Sequence, residues 1–125
     1  MDVTPPIPAD RQLIQAYGEG HFRISNVVYE GSVLVLPERT LAWPVAAFAE
    51  ATLASLDPLF AAGSKVELLL LGCGSRPAPL KSELRGSLRA RGVMLELMDT
   101  GAACRTYNVL LAEERRVAAA LIAVR

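Results

Sequence analysis

The residues of this chain that could carry chemistry are few and scattered: two cysteines, one histidine and one glycine-rich loop. The loop reads Gly72-Cys73-Gly74-Ser75-Arg76-Pro77 and follows an apolar run, where backbone N–H groups and a helix N-terminus can receive an anion. It does not complete a dinucleotide fingerprint. Pro77 stands in place of the third glycine, offers no N–H to a phosphate and would obstruct close helix packing. The competing reading is that Gly72 and Gly74 only turn the chain. Cys73 lies in this loop, and Cys104 falls in the first turn of an expected helix beside Arg105, a setting that stabilises a thiolate. Both thiols could face one crevice; against that, cysteine is so often a small buried hydrophobe that plain burial is the simpler expectation. No sequence context joins His21 to either thiol, and no pair of carboxylates in contrasting environments stands out. Catalytic residues are therefore not expected. Two cysteines without close ligand spacing suit neither a disulfide scaffold nor a zinc site, so neither metal nor cofactor is expected.

A second set of candidates is polar rather than nucleophilic. Thr106 and Asn108 are weak helix formers in the middle of an expected helix, where alanine or leucine would serve better, and such local conflict tends to mark a site. Asn108 could bond the loop over residues 72–76, while Tyr107 could bury its ring and extend its hydroxyl to a polar group. With Cys73, Ser75, Arg76, Thr100, Cys104 and Arg105 they define a candidate crevice for a small ligand or anion. The alternative is a polar network that pins the loop with no ligand. Lys81, Arg85 and Arg89 recur every four residues, one position after Leu80, Leu84 and Leu88, so a basic ridge borders a buried stripe. It is a candidate surface for an acidic partner or a lipid headgroup, set against an ordinary solvated face.

The elements that must hold these residues follow from periodicity. Residues 1–9 are a Pro-rich leader, and the folded body begins near Asp10. The β-branched and aromatic stretch over 22–36, broken at Glu30-Gly31, predicts an antiparallel ribbon. Pro44 opens a helix over 45–56 that Asp57-Pro58 stops, and Trp43 before it is expected in the core. The unbroken apolar run over 66–71 reads as a central strand covered on both faces. A helix over 79–91 closed by Gly92, a strand over 93–98, a helix from a Thr100 cap to about Arg115 and a last apolar strand over 117–124 complete the order. Helices alternating with buried strands predict a single α/β domain, a three-layer sandwich with a mixed central sheet, an N-terminal β-ribbon and flanking helices.

Composition bounds what such a domain can do. The chain has 125 residues, 52% of them hydrophobic and 21% charged, enough apolar surface for one core and too short for two domains. Thirteen Lys plus Arg balance thirteen Asp plus Glu, which lacks the electrostatic footprint of a nucleic-acid binder. The charge is nevertheless divided: residues 1–67 hold four basic and eight acidic side chains, residues 68–125 nine and five. Net charges of −4 and +4 allow a homo-oligomer through opposite patches. Asp2 and Pro5, Pro6 and Pro8 stand where an export signal needs basic and then apolar residues, so a cytoplasmic protein is expected. The longest wholly apolar stretch, over 117–124, is far below the roughly 20 residues that span a bilayer, which leaves only peripheral membrane contact.

Several stretches together form a pattern: Tyr29-Glu30-Gly31-Ser32-Val33, Trp43-Pro44, Leu70-Leu71-Gly72-Cys73-Gly74, the run from Met98-Asp99-Thr100-Gly101 through Cys104-Arg105-Thr106-Tyr107-Asn108 to Leu110, and Arg116-Val117-Ala118-Ala119-Ala120. They resemble the small domain-of-unknown-function family that includes an assembly factor of mitochondrial respiratory complex I. The resemblance implies a three-layer fold around a mixed sheet, residues 117–124 as a strand, and a role near protein assembly in the mitochondrial relative. It carries over no catalytic residue. The function expected is a non-catalytic interaction domain with a protein partner, assembly-factor-like; the alternative is a ligand- or anion-binding protein using the candidate crevice.

Overall fold

The computed structural model describes residues 11–61, 65–76, 78–80 and 82–125. The leader over 1–9, Asp10, Pro77 and Lys81 lie outside the described residues. Two sheets organise the rest. Strands β1 (Ile14–Gly18), β2 (His21–Ile24) and β3 (Val27–Glu30) form an antiparallel sheet in chain order. Strands β4 (Val33–Val35), β5 (Thr40–Ala42), β6 (Leu68–Gly72), β7 (Met94–Met98) and β8 (Val117–Leu121) form a second sheet in the order β5-β4-β8-β6-β7. In it β7, β6 and β8 run parallel, while β4 is antiparallel to both β8 and β5. The mixed sheet and the final strand are as the apolar runs predict; β6 is an interior strand, flanked by β8 and β7, while the middle position of the sheet belongs to β8.

Alternation along the central strands divides the interior in two. Leu34, Leu69, Leu71, Ala118 and Ala120 join one core, which the helix α1 (Ser82–Ala90) seals with Leu84 and Leu88. Val33, Val35, Leu70, Val117, Ala119 and Leu121 join the other, covered by α2 (Thr100–Ala112) and by Ile14, Phe22 and Ile24 of the small sheet. Layers therefore lie on both faces of the mixed sheet, and each fully buried leucine contributes about 1.5–3 kcal/mol of transfer free energy. Trp43 sits in the first core, 2% exposed.

The expected ribbon over 22–36 is corrected in two ways: β1 precedes it, and residues 33–35 belong to the mixed sheet instead. Ile14 is the one buried position of β1, so alternation does not announce the strand. The helix expected over 45–56 does not form. Two 3₁₀ turns, Phe48–Glu50 and Ala54–Phe60, take its place. Side chains compete with helix bonds there: Glu50 accepts the Ala47 N–H, Thr52 and Ser55 each accept the other's N–H, and the Ser55 hydroxyl donates to the Thr52 carbonyl. Ala51, between them, is extended. The segment still buries Ala51, Leu56 and Leu59 in the first core, which accounts for its apolar composition.

The end of α1 follows its expected cap. Gly92 takes a φ of +78°, its N–H donates to Arg89 and that of Val93 to Leu88, closing the helix as glycine in the left-handed region allows. For α2 the cap is corrected from Thr100 to Asp99, whose carboxylate accepts from the Ala102 N–H at 2.8 Å. The helix also stops at Ala112 rather than near Arg115, because Glu114 turns left-handed at φ +59° and the Arg115 N–H returns to Leu110.

Candidate functional site

The loop after β6 and the start of α2 do adjoin, and Thr100 joins them. Its hydroxyl, fully buried, donates to the Ile122 carbonyl at 2.7 Å and accepts from the Gly74 N–H at 3.0 Å, while its own N–H donates to the Gly74 carbonyl at 2.8 Å. The Cys73 N–H bonds the Met98 carbonyl and the Ile122 N–H bonds that of Gly72. A side chain at Gly72 would press on Leu121 and on the backbone of Thr100, both 3.0 Å from where its Cβ would stand. The N–H groups of Cys73 and Gly74 are thus spent on the protein itself.

The other candidates disperse. Ser75 and Arg76 are exposed, and the Arg76 carbonyl accepts from the Cys73 thiol at 3.2 Å. Cys104 lies in the core beneath α2, whereas Cys73 belongs to neither core, and both are free thiols. The thiolate expected of Cys104 is corrected: burial pushes its pKa up to about 12, outweighing the favourable charge of exposed Arg105. Asn108 turns away from the loop and toward β1, accepting the Ile14 N–H at 3.0 Å and donating to the Ile14 carbonyl at 2.7 Å. Thr106 is half-buried on the same helix. Tyr107 is wholly buried, and its hydroxyl has no partner among the described residues; burial foremost, and then the Glu38 charge, raise its pKa.

Arg85 and Arg89 are exposed on α1, beside the free edge of β7. Arg85 donates to the Leu95 carbonyl at 3.0 Å, so its guanidinium covers part of that edge. Two cavities among the described residues lie away from the Thr100 junction. One of about 320 Å³ runs along β7 between Arg85, Arg89 and Glu96, and a larger one opens at the other end of the mixed sheet, between Arg11, Glu38 and Arg116. The cations of that larger cavity were no part of the expected site, although Arg115-Arg116 after Glu113-Glu114 was a visible charge cluster.

A mixed five-stranded sheet carrying a small antiparallel sheet, with the carboxyl-end loop locked by a buried threonine, defines a class of small α/β proteins. The chain belongs to the family described as proteins of unknown function (DUF498/DUF598), whose pattern matches residues 14–122. An uncharacterized protein of Rhodobacter capsulatus is 42% identical over 87% of this chain and 82% of its own length. The zebrafish (Danio rerio) NADH dehydrogenase [ubiquinone] 1 alpha subcomplex assembly factor 3 is 36% identical over 88% of this chain. This chain spans 63% of that assembly factor's length. Among solved structures, one described as an outer membrane protein from Bartonella henselae superposes with a TM-score of 0.85 at 36% identity, covering 94% of this chain and 98% of its own. No helix among the described residues is long and apolar enough to cross a membrane.

Proposed function

We propose that this protein is a non-catalytic interaction domain that acts in the assembly of a multi-subunit protein complex. The observation that carries the reading is the match to the vertebrate complex I assembly factors, which runs through 88% of this chain in the zebrafish case. It is supported by a carboxyl-end loop whose Cys73 and Gly74 N–H groups are taken up internally, as in a scaffold rather than an open ligand crevice. Val27 and Val28 on β3 are 51% and 54% exposed on the outer edge of the small sheet, the sort of surface a protein contact covers. In this reading the protein works in the cytoplasm, at most in peripheral contact with a membrane, and the −4 and +4 halves favour contacts between copies.

The test is genetic and biochemical together. Deleting the gene in its host should lower the amount of fully assembled NADH:ubiquinone oxidoreductase on native gels, with restoration by the intact gene. Unchanged assembly and unchanged NADH oxidation in the deletion strain would overturn the reading. Cell fractionation and light scattering of the purified protein check the compartment and the self-association.

A further inference from the structure

We propose that the larger cavity, where the polypeptide enters β8, binds a small polyanion recognised through phosphate. The cavity holds about 410 Å³, within the range of sites for small organic molecules. Four cations line it, Arg11, Lys65, Arg115 and Arg116, against two carboxylates, Glu38 and Glu114. These cations come from three separate stretches of chain. The end of α2 accounts for part of the charge, because its last carbonyls attract positive groups, but that does not extend to Lys65. Arginine forks match phosphate oxygens two at a time, and Arg115 and Arg116 bring two of them to the wall.

The backbone beneath Arg115 and Arg116 is tied down by hydrogen bonds. The left-handed turn at Glu114 directs the chain from α2 into β8, and the Arg115 N–H is held by Leu110. The Arg116 carbonyl accepts from both Glu67 and Leu68, at 3.0 and 3.3 Å. Arg11 is held opposite by an ion pair with Glu38 at 3.3 Å.

The site is separate from the Thr100 junction and does not depend on the assembly role.

The experiment is an NMR titration of the full chain with inorganic pyrophosphate at low ionic strength, with sodium chloride at matched ionic strength as control. Saturable shifts confined to residues around 11, 38, 65 and 114–117 are expected with pyrophosphate. The double variant R115S/R116S should lose at least about tenfold in affinity, since each charge-assisted hydrogen bond contributes about 1.5–3 kcal/mol. R85S/R89S should bind as the parent does. If R115S/R116S unfolds, Lys65→Ser supplies the same comparison. Absence of saturable shifts at millimolar pyrophosphate, equal shifts with chloride, or full affinity in the arginine variant would overturn the proposal. Binding of a poly-glutamate peptide but not of pyrophosphate would overturn it too, and would assign the face to an acidic protein.

Discussion

Asn108 occupies a helical position that favours alanine because its amide reproduces one rung of a β-ladder, meeting both backbone groups of Ile14 across 94 residues of sequence. It thereby covers the outer edge of β1, which would otherwise expose unpaired backbone groups. Asn108→Ala is expected to cost about 1–3 kcal/mol in urea unfolding and to speed amide exchange at Ile14, because two half-buried backbone groups lose their partner. A variant as stable as the parent would show that water replaces the amide. Cys104 and Tyr107 carry a second prediction at this scale. Both groups have folded pKa values raised above their unfolded ones, so above about pH 9 the unfolded chain loses protons that the folded chain retains. Stability is then constant through neutral pH and falls as pH rises past 9, by about 1.4 kcal/mol per pH unit for one such group. Urea midpoints at pH 8 and above should show the fall, and Cys104→Ala should reduce its slope.

Among the elements, α2 ties the molecule together: its first residue holds the loop after β6, its middle holds β1, and its end begins the turn into β8. Thr100→Val keeps the shape but leaves the Gly74 N–H and the Ile122 carbonyl without their partner. On the order of 2–4 kcal/mol should be lost, while Thr100→Ser, which keeps the hydroxyl, should lose less than about 1 kcal/mol. Thermal denaturation of the pair separates the hydrogen bonds from the packing. On α1, R85E/R89E should change stability by no more than about 1–1.5 kcal/mol, because the Leu95 carbonyl at a sheet edge can turn to water. Failure of that variant to fold would make the ridge structural. Local signals were sufficient where the partner is close: Gly92 terminates α1 with its own N–H on Arg89 and that of Val93 on Leu88, three and four positions before the glycine. They were insufficient at 45–56, where helical apolar spacing lost to short side-chain bonds around Thr52 and Ser55.

Across the whole molecule the polar groups are used for joining elements, and the charge that remains is sorted by region. Among the described residues no three His, Cys, Asp or Glu side chains gather as metal ligands. Melting in EDTA should therefore give the same midpoint as melting without it, and a marked drop would reveal a structural ion. The sequence by itself determined the central strands, because an unbroken run such as Leu68-Leu69-Leu70-Leu71 can satisfy both its faces only between two layers. It also determined the termination of α1, a purely local matter, and the family membership that motifs over 29–122 carried. Only the tertiary structure decided which sheet received residues 33–35, that Ile14 began a strand, and that Asn108 served β1 rather than the glycine loop. It alone assembled Arg11, Lys65, Arg115 and Arg116 around one cavity. The physical reason is common to these cases: hydrogen bonding and charge convergence between distant segments depend on where the chain returns in space, and local pattern encodes only burial and turn.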